Sequence, residues 1–337
     1  MANRILVVLA AVAAGGFALA YATLRIEPHY ENGSLAYVKI VPRGAAPVPK
    51  TAADADDVLP ATGRPTLRVA VLNLDGMEEK RLRDARLAER LGRIISRFDL
   101  IGLTGLRGKD ASGVVALVDA ANAKTPGRYD FAVAPWPSAP GELVYSALVF
   151  DRAAVEVDRR SVRCLDDPTS RLTQSPLAAM LRARGPDPAE AFTFKLVCVR
   201  ADPQRPAEEL PALKEAFLAV RDDGSGEDDV IMLGDFGVDE RNLGPLGAML
   251  DVMPVLSGVP TTVRGTARTT TILFDRRAGG EFTGRAGVFD VIRELDLSIE
   301  AAEEISEHLP VWAEFSVYEG GRPGYVAGGT PDTAARQ

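Results

Sequence analysis

At 337 residues, with 46% hydrophobic and 26% charged side chains, the chain has an ordinary globular composition and room for one large core or two modest ones. A formal net charge of −8 denies it the basic footprint of a general nucleic-acid binder, although it does not exclude a local basic patch. Cys164 and Cys198, 34 positions apart, lack metal-ligand spacing and either pair in an exported domain or stand as separate buried thiols, and the histidines number two, His29 and His308.

In chain order, a short positive end, Met1 to Arg4, precedes 20 residues without a charge, Ile5 to Leu24, long enough to cross a bilayer as a helix. Residues 1–24 are therefore expected to be an N-terminal hydrophobic helix acting as a transmembrane anchor. The alternative is a signal peptide cleaved near Ala18-Leu19-Ala20 or Ala20-Tyr21-Ala22. Either reading places the rest outside the cytoplasm, on the periplasmic or extracellular side or secreted. Residues 25–65, with a weak strand at Leu35 to Val41 and a Pro-, Ala-, Gly- and Asp-rich run from Pro42 to Pro65, read as a spacer. Residues 66–318 form the folded domain, and the Gly-rich polar residues 319–337 are expected to be a flexible tail.

Within the domain, Leu67 to Leu74 is an apolar strand that carries an amide, Asn73, near its end. A helix is predicted from about Glu78 to Phe98, with Leu87, Leu91, Ile94, Ile95 and Phe98 on one face. Strand Asp99 to Leu103, helix Gly113 to Ala123, and strands at Tyr129 to Ala134, Val144 to Phe150 and Ala154 to Val157 follow. A long polar connection, Asp166 to Pro188, is interrupted by Leu177 to Leu181. Next come strand Phe192 to Val199 and an amphipathic helix, Glu208 to Val220. The apolar run Val230 to Leu233 is a buried strand ending in Gly234-Asp235-Phe236-Gly237, which delivers a carboxylate where α/β proteins place ligands. Thr269 to Phe274, an acidic helix near Ile299 to Ile305, and a closing strand, Val311 to Val317, complete the order. Many strands with few, separated helices argue for two sheets packed face to face with helices outside.

The Asn-bearing first strand, the Asp-Leu-Ile-Gly-Leu second strand, Gly234-Asp235-Phe236 and Ser306-Glu307-His308-Leu309-Pro310 resemble, in this order, the endonuclease/exonuclease/phosphatase superfamily over residues 66–318. The resemblance implies an α+β, four-layer α/β-sandwich of the DNase I-like type, two packed mixed β-sheets flanked by helices. It also implies metal-assisted phosphoester hydrolysis, usually with Mg²⁺, in which a hard cation needs oxygen ligands and water needs a base titrating near neutrality.

Set against the family pattern, the chain keeps Asn73, Asp235 and His308 but departs elsewhere. Thr104-Gly105 stands where the second strand should end in Gln-Glu, and Arg200 stands where a second His is expected. Gly237 replaces the turn Asn, Thr270 the Asp that orients the base, and Glu307 the Asp before His308. A guanidinium stays protonated and cannot serve as the missing base. The resemblance with these gaps implies a catalytically impaired, exported protein, with Asp235 and His308 as vestigial catalytic residues. Asn73, Arg200 and Arg264 are then the candidates for holding a phosphate-containing ligand, a protein partner being the other expectation. No cofactor is expected in that reading. The alternative is an active phosphodiesterase, nuclease or phosphatase with a rearranged Mg²⁺ or Mn²⁺ site, built on Asn73 and Glu307 with help from Asp75, Glu78 or Asp239. Restoring Glu at 105, His at 200, Asn at 237, Asp at 270 and Asp at 307 together is expected to recover metal binding.

Overall fold

The computed structural model describes residues 24–31, 34–42, 63–134, 143–275 and 280–321, and the chain divides into two units, Met1–Asp56 and Asp57–Gln337. In the first unit, strand β1 (Leu24–Glu31) pairs antiparallel with β2 (Ser34–Pro42). The stretch read as a spacer thus holds a hairpin, of which the sequence signalled only the weak run Leu35 to Val41. The expected N-terminal helix falls outside the described residues but for Leu24, which opens β1. Among the described residues no helix is long and apolar enough to cross a membrane.

The second unit holds two six-stranded sheets. The first contains β3 (Thr66–Glu78), β4 (Leu100–Gly108), β5 (Tyr129–Val133), β6 (Leu143–Asp151), β13 (Phe282–Val288) and β14 (Val311–Ser316), in the order β13-β14-β3-β4-β6-β5. The second contains β7 (Val155–Cys164), β8 (Leu177–Ala183), β9 (Thr193–Arg200), β10 (Val230–Asp235), β11 (Val252–Pro254) and β12 (Thr270–Asp275), in the order β11-β12-β10-β9-β8-β7. Each sheet is mixed, with one parallel pair near its centre, β3 with β4 and β9 with β10.

Side-chain alternation explains the layers. In β3, Leu67, Val69 and Val71 enter the core between the sheets, while Ala70, Leu72 and Leu74 face a second core under the helices. In β10, Ile231 and Leu233 take the inner face, and Val230 and Met232 the outer one. The strands are apolar on both faces because both faces are covered. The outer face of the first sheet carries α1 (Glu79–Leu82), α2 (Ala85–Ile95) and α3 (Ser112–Ala121). That of the second carries α4 (Pro206–Arg221) and α5 (Gly244–Gly247). Two short helices, α6 (Val291–Leu295) and α7 (Ile299–Glu303), follow β13.

The helix predicted over 78–98 is broken at Arg83-Asp84. Asp84 caps α2 by accepting the Leu87 amide at 3.0 Å, a local bond that competes with a continuous helix. Strand β8 occupies the apolar interruption of the long polar connection, and β4 and β7 run further than their apolar cores suggested. Strands β11 and β13 have no counterpart in the sequence reading, because neither is apolar enough to be marked by periodicity.

Cys164 pairs in register with Leu177, and Leu177 with Cys198. The thiols therefore stand two strands apart, about 10 Å at the usual strand spacing and beyond disulfide reach. Both are free, Cys164 exposed and Cys198 buried in the inter-sheet core, where burial pushes its thiol up to about 12. Phe194, fully buried, stacks on Phe192 with ring centroids 4.8 Å apart. Phe194→Ala is expected to cost about 3–5 kcal/mol, read as a lowered urea midpoint with unchanged slope.

Candidate active site

The same alternation that builds the core gathers the site. Asn73 continues the inward phase of Val69 and Val71, and Asp235 that of Ile231 and Leu233; Arg200 follows Leu196 and Cys198, and Thr270 precedes Ile272. In register, Asp235 lies opposite Arg200 on one side and Thr270 on the other. Period-two geometry thus brings four residues from four strands to one end of the sandwich, and the turn before β14 adds His308.

The groups bond mainly to one another. Asn73 Nδ2 donates to Asp235 Oδ2 at 2.6 Å across the two sheets, both residues being buried. The same Oδ2 lies 3.4 Å from His308 Nε2, and the other carboxylate oxygen accepts the Gly237 amide at 2.9 Å. His308 Nδ1 is 3.3 Å from Thr270 Oγ1, so a hydroxyl now meets the imidazole where the family has a carboxylate. Ser306 Oγ donates to the Asn73 carbonyl at 2.6 Å and accepts the His308 amide at 2.9 Å, fastening the turn to β3. Ser306 was absent from the residues singled out by sequence; its signal was its place in Ser306-Glu307-His308.

Beside Asn73 the first sheet is bulged. Between the pairs Asn73 with Thr104 and Met77 with Leu106, β3 has Leu74-Asp75-Gly76 against the single Gly105. Asp75 and Gly76 adopt positive φ, 49° and 77°. The bulge folds back so that Asn73 Oδ1 accepts the Asp75 amide at 2.9 Å, and the Asp75 carboxylate meets Arg200 Nη2 at 3.1 Å. Gly105 has φ +66°, and a Cβ there would lie 2.6 Å from Asn73 Oδ1 and 2.9 Å from the Asp75 nitrogen. Gly237 is similarly confined, at φ +67° with Pro203 Cα 2.9 Å from the place of a Cβ.

These contacts decide the fit of a divalent cation. A Cβ at 105, from which the family's metal carboxylate would extend, would meet Asn73 Oδ1 and the β3 bulge, and that oxygen already accepts one backbone amide. Among the described residues, no three acidic or histidine side chains of this site bring ligand atoms within 4.8 Å of one another. Glu307 is exposed and lines an open cleft of about 470 Å³ together with Asp75, Glu78, Arg81, Glu303 and Glu304. Asp239 lies elsewhere, capping the turn 240–242 and paired with Arg268. The residues present do not fit the family's cation.

Arg264 forms a two-pronged pair with Glu303, Nε at 2.5 Å and Nη2 at 2.7 Å. Arg200 keeps its Nε buried without a partner. His29 belongs to the hairpin unit. Restoring the family's Glu at 105 thus meets close backbone as well as side-chain atoms. Gly105→Ala alone is expected to destabilise the protein by about 1–3 kcal/mol in chemical denaturation, because the positive φ and the close atoms both oppose a side chain.

No family model matches the chain. It is similar to Deoxyribonuclease-1-like 2 of Homo sapiens, 26% identical over 199 residues that span 54% of this chain and 65% of that relative. It is similar to Deoxyribonuclease-1 of Rattus norvegicus, 25% identical over 258 residues that span 73% of this chain and 90% of that relative. Among solved structures it resembles TDP2 of D. rerio complexed with single strand DNA product, with TM-score 0.50 and 14% identity over 75% of this chain and 100% of that one. With the two packed mixed sheets and the ordered motifs that end in Asn73, Asp235 and His308, these likenesses support the endonuclease/exonuclease/phosphatase superfamily as the family this chain resembles, with a DNase I-like fold.

Proposed function

We propose that this chain is a catalytically impaired member of its superfamily, retained for binding. The observation that carries this reading is the filled metal seat: a side chain at Gly105 would meet Asn73 Oδ1 at 2.6 Å, and that oxygen already accepts a backbone amide. Hydrolysis in the family rests on a cation and two histidines, and here one histidine remains, its imidazole held between Thr270 and Asp235. Loss of a general base or acid alone typically costs roughly 10²–10⁴ in rate, so losses at several positions leave little.

Of the two ligand types expected from sequence, a protein partner suits the surface better than a phosphate. The cleft beside the cluster is lined by five carboxylates and Arg81. Arg200, Arg264 and Arg90 are committed to Asp75, Glu303 and Glu304. Of the five carboxylates Glu78 and Glu307 then remain against Arg81, a small negative excess that favours a partner presenting lysine or arginine over a polyanion. The surviving Asp235–His308 contact at 3.4 Å favours a second reading, a weak residual hydrolase using a rearranged site. The apolar run of residues 5–24 supports a reading in which the chain is exported and attached to the membrane, with the domain outside the cytoplasm.

Two measurements test these readings. With Mg²⁺ or Mn²⁺, turnover of DNA, a phosphodiester or a phosphomonoester is expected to equal that of an Asp235→Ala, His308→Ala control; activity that vanishes in the control restores the hydrolase. Inorganic phosphate is expected to leave the melting temperature unchanged, and a rise that Arg200→Ala abolishes would return the phosphate ligand. For export, membrane fractionation and the mass of the mature N-terminus distinguish anchor from cleaved signal, and recovery of the full-length chain in the soluble cytoplasmic fraction overturns both.

A further inference from the structure

At the other end of β10 the chain gathers carboxylates without satisfying them. Asp229 immediately precedes β10, Glu281 immediately precedes β13, and Glu319 follows β14. Each brings a carboxylate oxygen within 4.8 Å of the other two. Asp229 and Glu281 are only 6% and 3% exposed. Among the described residues, buried Oδ1 of Asp229 and buried Oε2 of Glu281 have no hydrogen-bond partner.

The surroundings hold the cluster together without neutralising it. The Gly320 amide donates to Glu281 Oε1 at 2.6 Å, and the Thr193 amide to Glu319 Oε2 at 3.2 Å. Glu227 adds a fourth carboxylate, accepting the Asp229 amide at 2.8 Å and the Thr193 hydroxyl. Asp228 adds further negative charge to Asp229. Lys195, whose backbone amide binds the Asp229 carbonyl, spends its ammonium on the Val220 carbonyl and on Asp223. Burial, then the neighbouring carboxylates, push Asp229 up to about 9; burial pushes Glu281 up to about 7. Buried charges left unpaired are costly, and native proteins seldom leave them so without a ligand or a proton.

We propose that Asp229, Glu281 and Glu319 form a site for a hard divalent cation, best suited to Ca²⁺, that ties the two sheets together. Ca²⁺ takes oxygen ligands at about 2.3–2.6 Å in flexible geometry, so two ligands across the ion stand roughly 4.6–5.2 Å apart at most, in keeping with the observed spread. Three carboxylates from two sheets outweigh one divalent charge and suit an ion that accepts many oxygens. The site lies about 20 Å along β10 from Asp235, at the usual rise per residue, and shares no residue with the Asn73–His308 cluster. A cation there would bind the start of β10, in the second sheet, to segments flanking β13 and β14, in the first.

The test uses the full chain, stripped with a chelator and then given CaCl₂, MgCl₂ or MnCl₂, with melting temperature and equilibrium dialysis as readouts. At a Ca²⁺ concentration roughly 100-fold above the dissociation constant, the melting temperature is expected to rise by about 5 °C or more, with one ion bound per chain. Asp235→Ala should keep this response, and Asp229→Asn with Glu281→Gln should abolish it. Glu319→Gln, at an exposed position that tolerates change, should weaken binding roughly tenfold or more. No binding by any of the three cations overturns the site. So does a response that survives Asp229→Asn with Glu281→Gln, or a response lost in Asp235→Ala.

Discussion

The hydrogen bond from Asn73 to Asp235 is the constraint on which the functional end of this protein depends. It is buried, 2.6 Å long, and spans 162 positions of sequence, joining the ends of two strands in two different sheets. A carboxylate at 6% exposure needs hydrogen-bond donors, and this one receives the Asn73 amide on one oxygen and the Gly237 amide on the other. Asn73 can serve because its own oxygen is satisfied by the Asp75 amide, which requires the bulge in β3. The bulge in turn requires a glycine at 105. A chain of local satisfactions thus links Asp235, Asn73, the β3 bulge and Gly105 at this end of the sandwich.

The replacements at this end are therefore coupled. Arg200 in place of a histidine gives Asp75 a partner, although with Asp75 half exposed the pair contributes little by itself. Thr270 supplies a neutral hydroxyl to His308, which needs no negative charge if it is not required to collect a proton during turnover. Gly237 leaves room for Pro203 to pack against the turn. Returning Gly105 or Gly237 to the family type would disturb neighbours, because a Cβ there would lie within 2.9 Å of other atoms.

Much of this was legible in the chain itself. The inward phase of Asn73, Arg200, Asp235 and Thr270 follows from counting twos along four apolar strands, and so does their meeting at one end of two stacked sheets. The missing carboxylate at 105 and the missing second histidine were visible as residue types. The bulge at Leu74-Asp75-Gly76 was hidden, since a run that continues as strand on both sides carries no periodic sign of extra residues. The break between α1 and α2 was hidden for a related reason: a single capping aspartate at 84 interrupts a pattern whose apolar spacing continues across it. Ion pairing was the least legible layer. Nothing in the spacing of Arg264 and Glu303 foretells that the one consumes the other.

Strand β10 brings these matters to a single comparison, since it carries a buried aspartate just before its first residue and another at its last. Asp235 is fully provided with protein donors, whereas Asp229 has an oxygen without a partner and carboxylates for neighbours. In a fold whose relatives bear the name deoxyribonuclease, the aspartate at the expected site is the quiet one. The physical demand for a positive ion has moved to the opposite end, where the sheets are joined by loops and where unmatched charge opposes folding. A cation bound there would act on the stability of the scaffold without touching the Asn73–Asp235 bond. Stability at that end and the contacts at the other would then change independently.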